Sequence, residues 1–244
     1  TLSVLLLLFT KISFAQKQPV DCVNPFIGTT NYGTTNPGAM CPQGFMSVTP
    51  FNVMGSDLNW RDKDKGWWST PYVNNNSFLT GFAHVNLSGV GCPDLGSLLL
   101  MPTTGEVDVD YKEYGTTYKD EKASPGYYSV MLDKYNVKAE VSASLRVGTS
   151  RFTFPAGKSN ILLNLGEGLT NETGAQLRKV NDREMEGMKL LGTFCYTANQ
   201  AVFPIYFVIR VNKTPEKSGY FKFHRPGYKW ENDWNRDAGK YKLY

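Results

Sequence analysis

Residues 137–147 read VKAEVSASLRV, and this stretch decides the fold class. Six apolar side chains alternate with five polar ones along it, without a break. A period of two with one apolar face is typical of an antiparallel strand that has one face in the core and the other in water. The sequence therefore predicts a half-buried strand over 137–147.

Further strand-like runs lie on either side of this stretch. They cover 126–132, 151–154, 160–165, 188–196 and 202–211. Turn residues separate them, as in DKYN at 133–136 and PAG at 155–157. Short strands at such regular spacing indicate an antiparallel β-sandwich. We predict an all-β fold with one domain over 20–244, truncated at its C-terminal end.

The first part of this domain looks different. From Val20 to about Pro102 the chain is loop-rich, with glycine and proline in NPFIGTTNYGTTNPGAMCPQG (24–44) and CPDLG (92–96). No window of a dozen residues there has helical periodicity. The sequence predicts long loops in this region.

Composition excludes several classes of protein. The 244 residues are 41% hydrophobic and only 20% charged, which rules out a disordered chain. The net charge is +4, but the basic residues form no tract or helical stripe. We therefore expect no nucleic acid as a partner.

Residues 1–15 predict a signal peptide. The apolar run LSVLLLLF at 2–9 is followed by a small-x-small cleavage site at Ser13–Ala15. The run is too short to cross a bilayer, so we expect no membrane span. The chain starts with Thr1 rather than Met, which indicates that the signal peptide is clipped. The alternative is a buried strand. We expect an exported protein.

The cysteines leave two interpretations open. Four follow the predicted cleavage site, namely Cys22, Cys41, Cys92 and Cys195. An exported protein permits disulfides, and four cysteines allow three pairings. Buried free thiols are the alternative. Their spacing contains no C-x-x-C, which argues against zinc or thioredoxin-type chemistry.

Common catalytic signatures are missing from the sequence. It has two histidines, His84 and His224, too few for a zinc site built on several histidines. It contains no G-x-S-x-G, no P-loop and no G-x-G-x-x-G. Its carboxylates show no pairing that marks an acid and a base. The residues by themselves therefore single out no acid, no base and no metal ligand.

Two regions carry candidate binding residues. Trp67 and Trp68 lie in a polar, charged loop, where a flat indole face suits the C–H groups of a sugar ring. The alternative is that these aromatics pin the loop to the core. In the glycine-rich segment that follows, His84, Asn86 and Asp94 are polar candidates. Their alternative role is hydrogen bonding within turns of the sandwich.

Several blocks of sequence, in order, resemble glycoside hydrolase family 92, the exo-acting α-mannosidases. VNPFIGT (23–29) and NPGAMCPQG (36–44) resemble the family's opening loop, and GFAHVNLSGVGCPDLGSLLLMPTTG (81–105) its most distinctive segment. ASPGYYSVMLDKYNVKAEVSASLRVGTSRFTFP (123–155) and NILLNLGEGLTNETG (160–174) resemble the meander that follows.

The resemblance implies a two-domain glycosidase. The N-terminal β-sandwich would precede an α/α-barrel that this chain lacks, with the sugar pocket between them. The reaction would be calcium-dependent, inverting hydrolysis of terminal α-linked mannose from glycans. The acid (a Glu), the base (an Asp) and the calcium ligands would all lie in the missing domain. That domain and mannose-containing glycans are the implied partners, in the periplasm or at the surface of a Gram-negative bacterium.

The resemblance also bears on single residues. In the family, a Trp in the loop before the segment that 81–105 resembles faces the position beyond the cleaved bond. Either Trp67 or Trp68 matches that Trp. Asn86 stands where relatives often carry His, which leaves the linkage preference open. A stand-alone carbohydrate-binding module and a purely structural interaction domain are the alternatives to a mannosidase domain.

Overall fold

The computed structural model describes residues 17–30, 33–57, 59, 69–89, 91–169, 172–192, 202–222 and 241–243. Helix is scarce among them: a 3-10 turn at Pro19–Cys22 and one α-helix, α1 (Tyr111–Tyr114). The strands are β1 (Ala39–Met40), β2 (Ser47–Phe51), β3 (Phe78–Leu79), β4 (Gly81–Asn86), β5 (Leu95–Thr104), β6 (Thr116–Ser124), β7 (Tyr127–Leu132), β8 (Val137–Ala143), β9 (Gly148–Thr153), β10 (Ser159–Asn164), β11 (Glu172–Asn181), β12 (Glu184–Leu191), β13 (Phe203–Arg210), β14 (Tyr220–Lys222) and β15 (Tyr241–Leu243).

These strands form three antiparallel sheets. The largest has the order β1-β2-β4-β5-β10-β15-β14, the second β3-β6-β7-β8-β9, and the third β11-β12-β13. The second sheet is a meander from β6 to β9, as the even spacing of the predicted strands implied. The all-β, antiparallel prediction is confirmed. In the part of the chain that the structure describes, no helix is long and apolar enough to cross a membrane.

The strand predicted over 137–147 is shorter in the structure. β8 ends at Ala143, and Ser144 N–H donates to Val147 O at 2.9 Å in the turn that leads into β9. Leu145 and Val147 are more than half exposed there. The carbonyl of Leu145 accepts hydrogen bonds from the N–H groups of Phe45 and Met46 instead of a neighbouring strand. The alternation of residue types therefore runs past the end of the strand into a turn, where Leu145 and Val147 are exposed rather than packed in the core.

The main core lies between the two larger sheets. Phe82 of β4 is fully buried, and its ring centroid lies 6.5 Å from that of Tyr128 on β7 and 6.1 Å from that of Phe152 on β9. Other buried members of this core are Val48, Met101, Val130, Leu132, Val137, Ala139, Val141 and Leu162. This face-to-face packing is that of a β-sandwich.

The third sheet covers the other face of the largest one. Val85 and Leu98 of the central strands pack with Leu191 and Ile205 of β12 and β13. β4 is therefore buried along its whole length, and β5 along most of it. The region that we expected to be loop-rich thus supplies the centre of the largest sheet. Strands buried on both faces show no alternation of polar and apolar residues, which explains why the sequence concealed them.

Candidate functional site

The candidate site lies at one end of the sandwich, where β4 and β5 form a hairpin. His84 is paired with Ser97 and Asn86 with Leu95, and the register shifts between Phe82 and His84. The polar candidates His84, Asn86 and Asp94 therefore lie on one hairpin. Asn86 and Asp94 are at the end where the turn joins the two strands, and His84 is one step deeper in the sheet.

The backbone of this hairpin is strained. Val85, Leu95 and Leu98 have φ values of +60°, +67° and +55°. Left-handed backbone is uncommon for residues other than glycine and especially unfavourable for a β-branched one. Such strain persists only when the surrounding structure enforces it, and it concentrates at functional sites. The strain supports this hairpin as the functional part of the described chain.

His84 is held by the sandwich itself. Its side chain is almost wholly buried, and Nδ1 lies 2.7 Å from the carbonyl oxygen of Leu98. Because a carbonyl only accepts, Nδ1 carries the proton. Burial lowers the pKa of the imidazole, and the backbone contacts with Leu98 and Phe82 oppose this only partly. His84 is therefore a neutral side chain of fixed orientation.

We expect acid to destabilise the domain through His84. Unfolding exposes a histidine with an ordinary pKa of about 6.5, which takes up a proton that the folded state excludes. The free energy of unfolding is unaffected by His84 above the unfolded-state pKa of about 6.5. It falls as the pH drops from there towards the lowered folded-state pKa, by up to about 1.4 kcal/mol per pH unit. Chemical unfolding of the wild type and His84→Gln between pH 7 and 5 measures it. The wild type should lose stability more steeply, and parallel curves would contradict the assignment.

Asn86 is fixed by hydrogen bonds to Ser47 of β2 and to Ala83 of its own strand. Its backbone N–H donates to Ser47 Oγ at 2.8 Å, and its Nδ2 donates to the carbonyl oxygen of Ala83 at 2.9 Å and to Ser47 Oγ at 3.2 Å. Its Oδ1 is buried and has no hydrogen-bond partner among the described residues. A buried acceptor without a donor is costly, and a water or a ligand hydroxyl commonly supplies the missing bond.

The opening loop packs directly against this hairpin. Asn36 Nδ2 donates to the carbonyl oxygen of Leu87 at 3.1 Å, and Gly89 N–H donates to that of Thr34 at 2.9 Å. Asn36 Oδ1 also accepts from Thr49 Oγ1 at 2.9 Å. The two sequence blocks 24–44 and 81–105 are therefore one structural unit.

Asp94 and the cysteines lie around the turn of the hairpin. Asp94 is half-buried, and its N–H donates to the carbonyl oxygen of Cys92 at 2.9 Å. Cys92 is in a disulfide, whereas Cys22 and Cys41 are free thiols. Cys195 lies outside the described residues. The disulfide interpretation thus holds for Cys92, whereas the free thiols are not buried as the alternative expected, because Cys22 is exposed and Cys41 is half-buried.

The tryptophan loop is described only in part. Trp67 and Trp68 lie outside the described residues, but Tyr72, four residues further on, is fully buried. Sequence reasoning missed Ser47, whose hydroxyl meets Asn86, because nothing in the run SVTPF marks that serine as different from others. In the described ranges, no three His, Cys, Asp or Glu side chains lie close enough to hold a metal ion.

Comparison with known proteins places the chain in a family. The model of the glycosyl hydrolase family 92 N-terminal domain matches residues 22–243. The search of curated protein sequences gives no match.

Three solved structures illustrate the similarity. The GH92 alpha-mannosidase BT3965 from Bacteroides thetaiotaomicron, solved with and without mannoimidazole, is 28% identical with a TM-score of 0.73, and the match covers 92% of this chain and 30% of that one. The GH92 glycosyl hydrolase CcMan5 is 24% identical with a TM-score of 0.65, and the match covers 92% of this chain and 32% of that one. The GH92 inverting mannosidase BT2199 from Bacteroides thetaiotaomicron VPI-5482 is 18% identical with a TM-score of 0.63, and the match covers 93% of this chain and 31% of that one.

The chain spans about a third of the length of each of these structures. The last two structures share only the fold with it at these levels of identity. The family model, however, extends over nearly the whole chain. The chain therefore belongs to glycoside hydrolase family 92 and corresponds to the N-terminal domain of that family.

Proposed function

We propose that this chain is the N-terminal sandwich domain of an exported, calcium-dependent, inverting α-mannosidase that removes terminal α-linked mannose from glycans. The observation that carries the proposal is the family match over residues 22–243, at about a third of the length of the matched enzymes. In the proposal, this domain forms one wall of the sugar pocket and is inactive alone.

The contacts of the hairpin support this role. Asn86 Oδ1 has no hydrogen-bond donor among the described residues, His84 is neutral and rigid, and Asp94 lies in the turn of the hairpin. The neutral donors and acceptors of His84 and Asn86 have fixed orientations and suit sugar hydroxyls, because they need no reorganisation on binding. We assign these three residues, with Trp67 and Trp68, to the wall that contacts the glycan.

The second domain is proposed as the main partner of this end of the sandwich. Phe45 and Leu145 are joined by a backbone hydrogen bond of 2.9 Å, and both are more than half exposed. Phe45 precedes by two residues the Ser47 that fixes Asn86. Exposed apolar side chains beside a binding site are typical of a surface that another domain covers.

Calcium and the reacting carboxylates are proposed to lie in that second domain. The described residues offer no cluster that fits a metal ion, so we derive no step through calcium from this chain. Calcium would act there as a hard cation that oxygen ligands hold. The acid and the base of an inverting glycosidase would flank the sugar from the same domain. Export to the periplasm or the cell surface follows from the signal peptide proposed at 1–15.

The experiment is a comparison of mannose release from α-mannobiosides by this chain and by the product of the intact reading frame. We expect release by the longer product only, lost on chelation and restored by calcium. A reading frame that stops near Tyr244, or release by neither product, would overturn the enzyme proposal. A tryptophan-fluorescence titration with mannosides then tests the alternative, a stand-alone carbohydrate-binding module. Binding that Trp67→Ala or Trp68→Ala abolishes would support that module, and a flat titration would dismiss it.

A further inference from the structure

A carboxyl group on β6 lies among tyrosines. Glu121 of β6 accepts a hydrogen bond from Tyr128 at 2.6 Å on Oε1, and Tyr72 Oη lies 2.9 Å from its Oε2. Both tyrosines are fully buried. We call Glu121, Tyr72, Tyr128 and Asn74 the Glu121 cluster.

A β-bulge aims Glu121 at this cluster. Asp120 has a φ of +55°, and the register of β6 on β7 shifts between Lys119 and Lys122. Before the bulge the even-numbered residues Thr116 and Tyr118 are the more buried, but after it Glu121 is more buried than Lys122. Bulges commonly redirect one side chain in this way and tend to be retained for that reason.

Counting protons indicates the state of Glu121. Tyr72 has one hydroxyl proton, but its Oη lies 2.9 Å from Glu121 Oε2 and 3.0 Å from Asn74 Oδ1. An ionised carboxylate and an amide oxygen can only accept, so one of the two contacts would lack a proton. A neutral carboxylic acid completes the chain, because Glu121 then donates to Tyr72, and Tyr72 donates to Asn74.

The charged and titratable surroundings agree with a neutral acid. Burial raises the pKa of Glu121, and the hydroxyls of Tyr128 and Tyr72 offset this only partly. Three tyrosines face it: Tyr72 from the segment 69–77, Tyr118 from β6 and Tyr128 from β7. Burial raises the pKa of each, and the charge that Glu121 would carry raises it further. These tyrosines therefore remain protonated donors.

The cluster is tied to the opening loop by backbone contacts. Asn74 N–H donates to the carbonyl oxygen of Thr29 at 2.8 Å, and Thr70 Oγ1 donates to that of Thr35 at 3.3 Å. Thr34, the neighbour of Thr35, accepts from Gly89 of the β4–β5 turn. A continuous series of bonded segments therefore runs from Glu121 through 69–77 and the opening loop to the candidate site.

We propose that Glu121 is a positioning residue that acts as a neutral carboxylic acid and fastens the segment 69–77, and through it the opening loop, against the β4–β5 hairpin. When Glu121 ionises, the Tyr72 hydroxyl donates its hydrogen bond to the carboxylate, and the exposed Asn74 side chain loses that bond. The fastening is complete below the ordinary pKa of a glutamate and is lost as pH rises through the higher folded-state pKa. Its link to sugar binding rests on the proposed function, but the fastening itself does not.

Amide hydrogen exchange at Asn74 tests this in the full chain. After correction for intrinsic exchange, the protection of the Asn74 amide in the wild type should fall about tenfold per pH unit above the ordinary glutamate pKa. The fall should level off once the pH passes the folded-state pKa of Glu121. Glu121→Gln keeps a donor and an acceptor without a charge, so its protection should not change with pH. Glu106→Gln is the control, because Glu106 is an exposed partner of Lys158, and it should behave as the wild type does.

A second measurement covers the case in which Glu121→Gln does not fold. The NMR chemical shift of the side-chain carboxyl carbon (Cδ) of Glu121 in the wild type should report a protonated acid at a pH where the other glutamates have ionised. An ordinary titration there would overturn the proposal, as would a flat wild-type exchange profile or a Glu121→Gln profile with the wild-type slope. Exchange requires no mannosidase activity, so its outcome is independent of whether the chain belongs to an active enzyme.

Discussion

Replacing Phe82 by alanine should lower the free energy of unfolding by about 3–5 kcal/mol, the cost typical of a large buried aromatic. Phe82 is fully buried in β4 and meets rings from two strands of the facing sheet, Tyr128 and Phe152. Truncation leaves a cavity between the two sheets where neither can close in without breaking its ladder. Urea or guanidinium unfolding of the purified chain measures the loss.

Phe45→Ala is the matched control for this change. The same atoms are removed, but Phe45 is 59% exposed, so we expect a change within about 0.5 kcal/mol. Equal losses for the two variants would mean that the core does not lie between these sheets. The comparison therefore tests the sandwich arrangement as well as the residue.

Gly38→Ala should be the second most damaging change, with a loss of about 1–3 kcal/mol or more. A Cβ at residue 38 would overlap Thr49 Oγ1 and lie 2.8 Å from the carbonyl oxygen of Val48. Thr49 would have to move, and its hydrogen bond to Asn36 would break. Asn36 is the residue whose side chain also bonds the hairpin at Leu87. Chemical unfolding measures the cost, and hydrogen exchange at the Gly89 amide reports the loosened loop.

Gly91→Ala serves as the control for Gly38→Ala. Gly91 is exposed, and an added Cβ would meet nothing within 4 Å. We expect its stability to stay close to that of the wild type. Were Gly38→Ala equally harmless, the close approach of the opening loop to β2 would be refuted.

The sequence predicted the meander from the period-two pattern of apolar and polar residues, and the structure follows that pattern only in part. β9 alternates strictly, β8 buries Glu140 as well as its apolar residues, and β7 buries three consecutive residues, 128–130. β4 and β5 could not be found by this rule, since layers of side chains cover both of their faces. Their glycines and prolines indicated loops, whereas the structure uses Gly81 and Gly96 inside paired strands.

The candidate site was predictable only in its residue types. His84, Asn86 and Asp94 stood out as polar residues in a glycine-rich stretch, and the structure places them on one hairpin. The left-handed backbone at Val85, Leu95 and Leu98 has no sequence signal, because these residue types disfavour it. Glu121 was equally hidden. An intact alternation would have placed it on the wet face, and only the bulge at Asp120 turns it inward.

The pairing of β10 with β15 has a consequence for how the chain folds. Leu163 is aligned with Leu243, so the largest sheet joins strands about eighty residues apart in sequence. Closing so long a loop costs entropy before any contact compensates for it, and such topologies fold slowly. During synthesis, the edge of β10 stays unpaired until residues 241–243 have emerged. While the roughly eighty residues between the two strands are synthesised, the nascent chain exposes an open sheet edge, and binding by chaperones or pairing with another chain competes with folding.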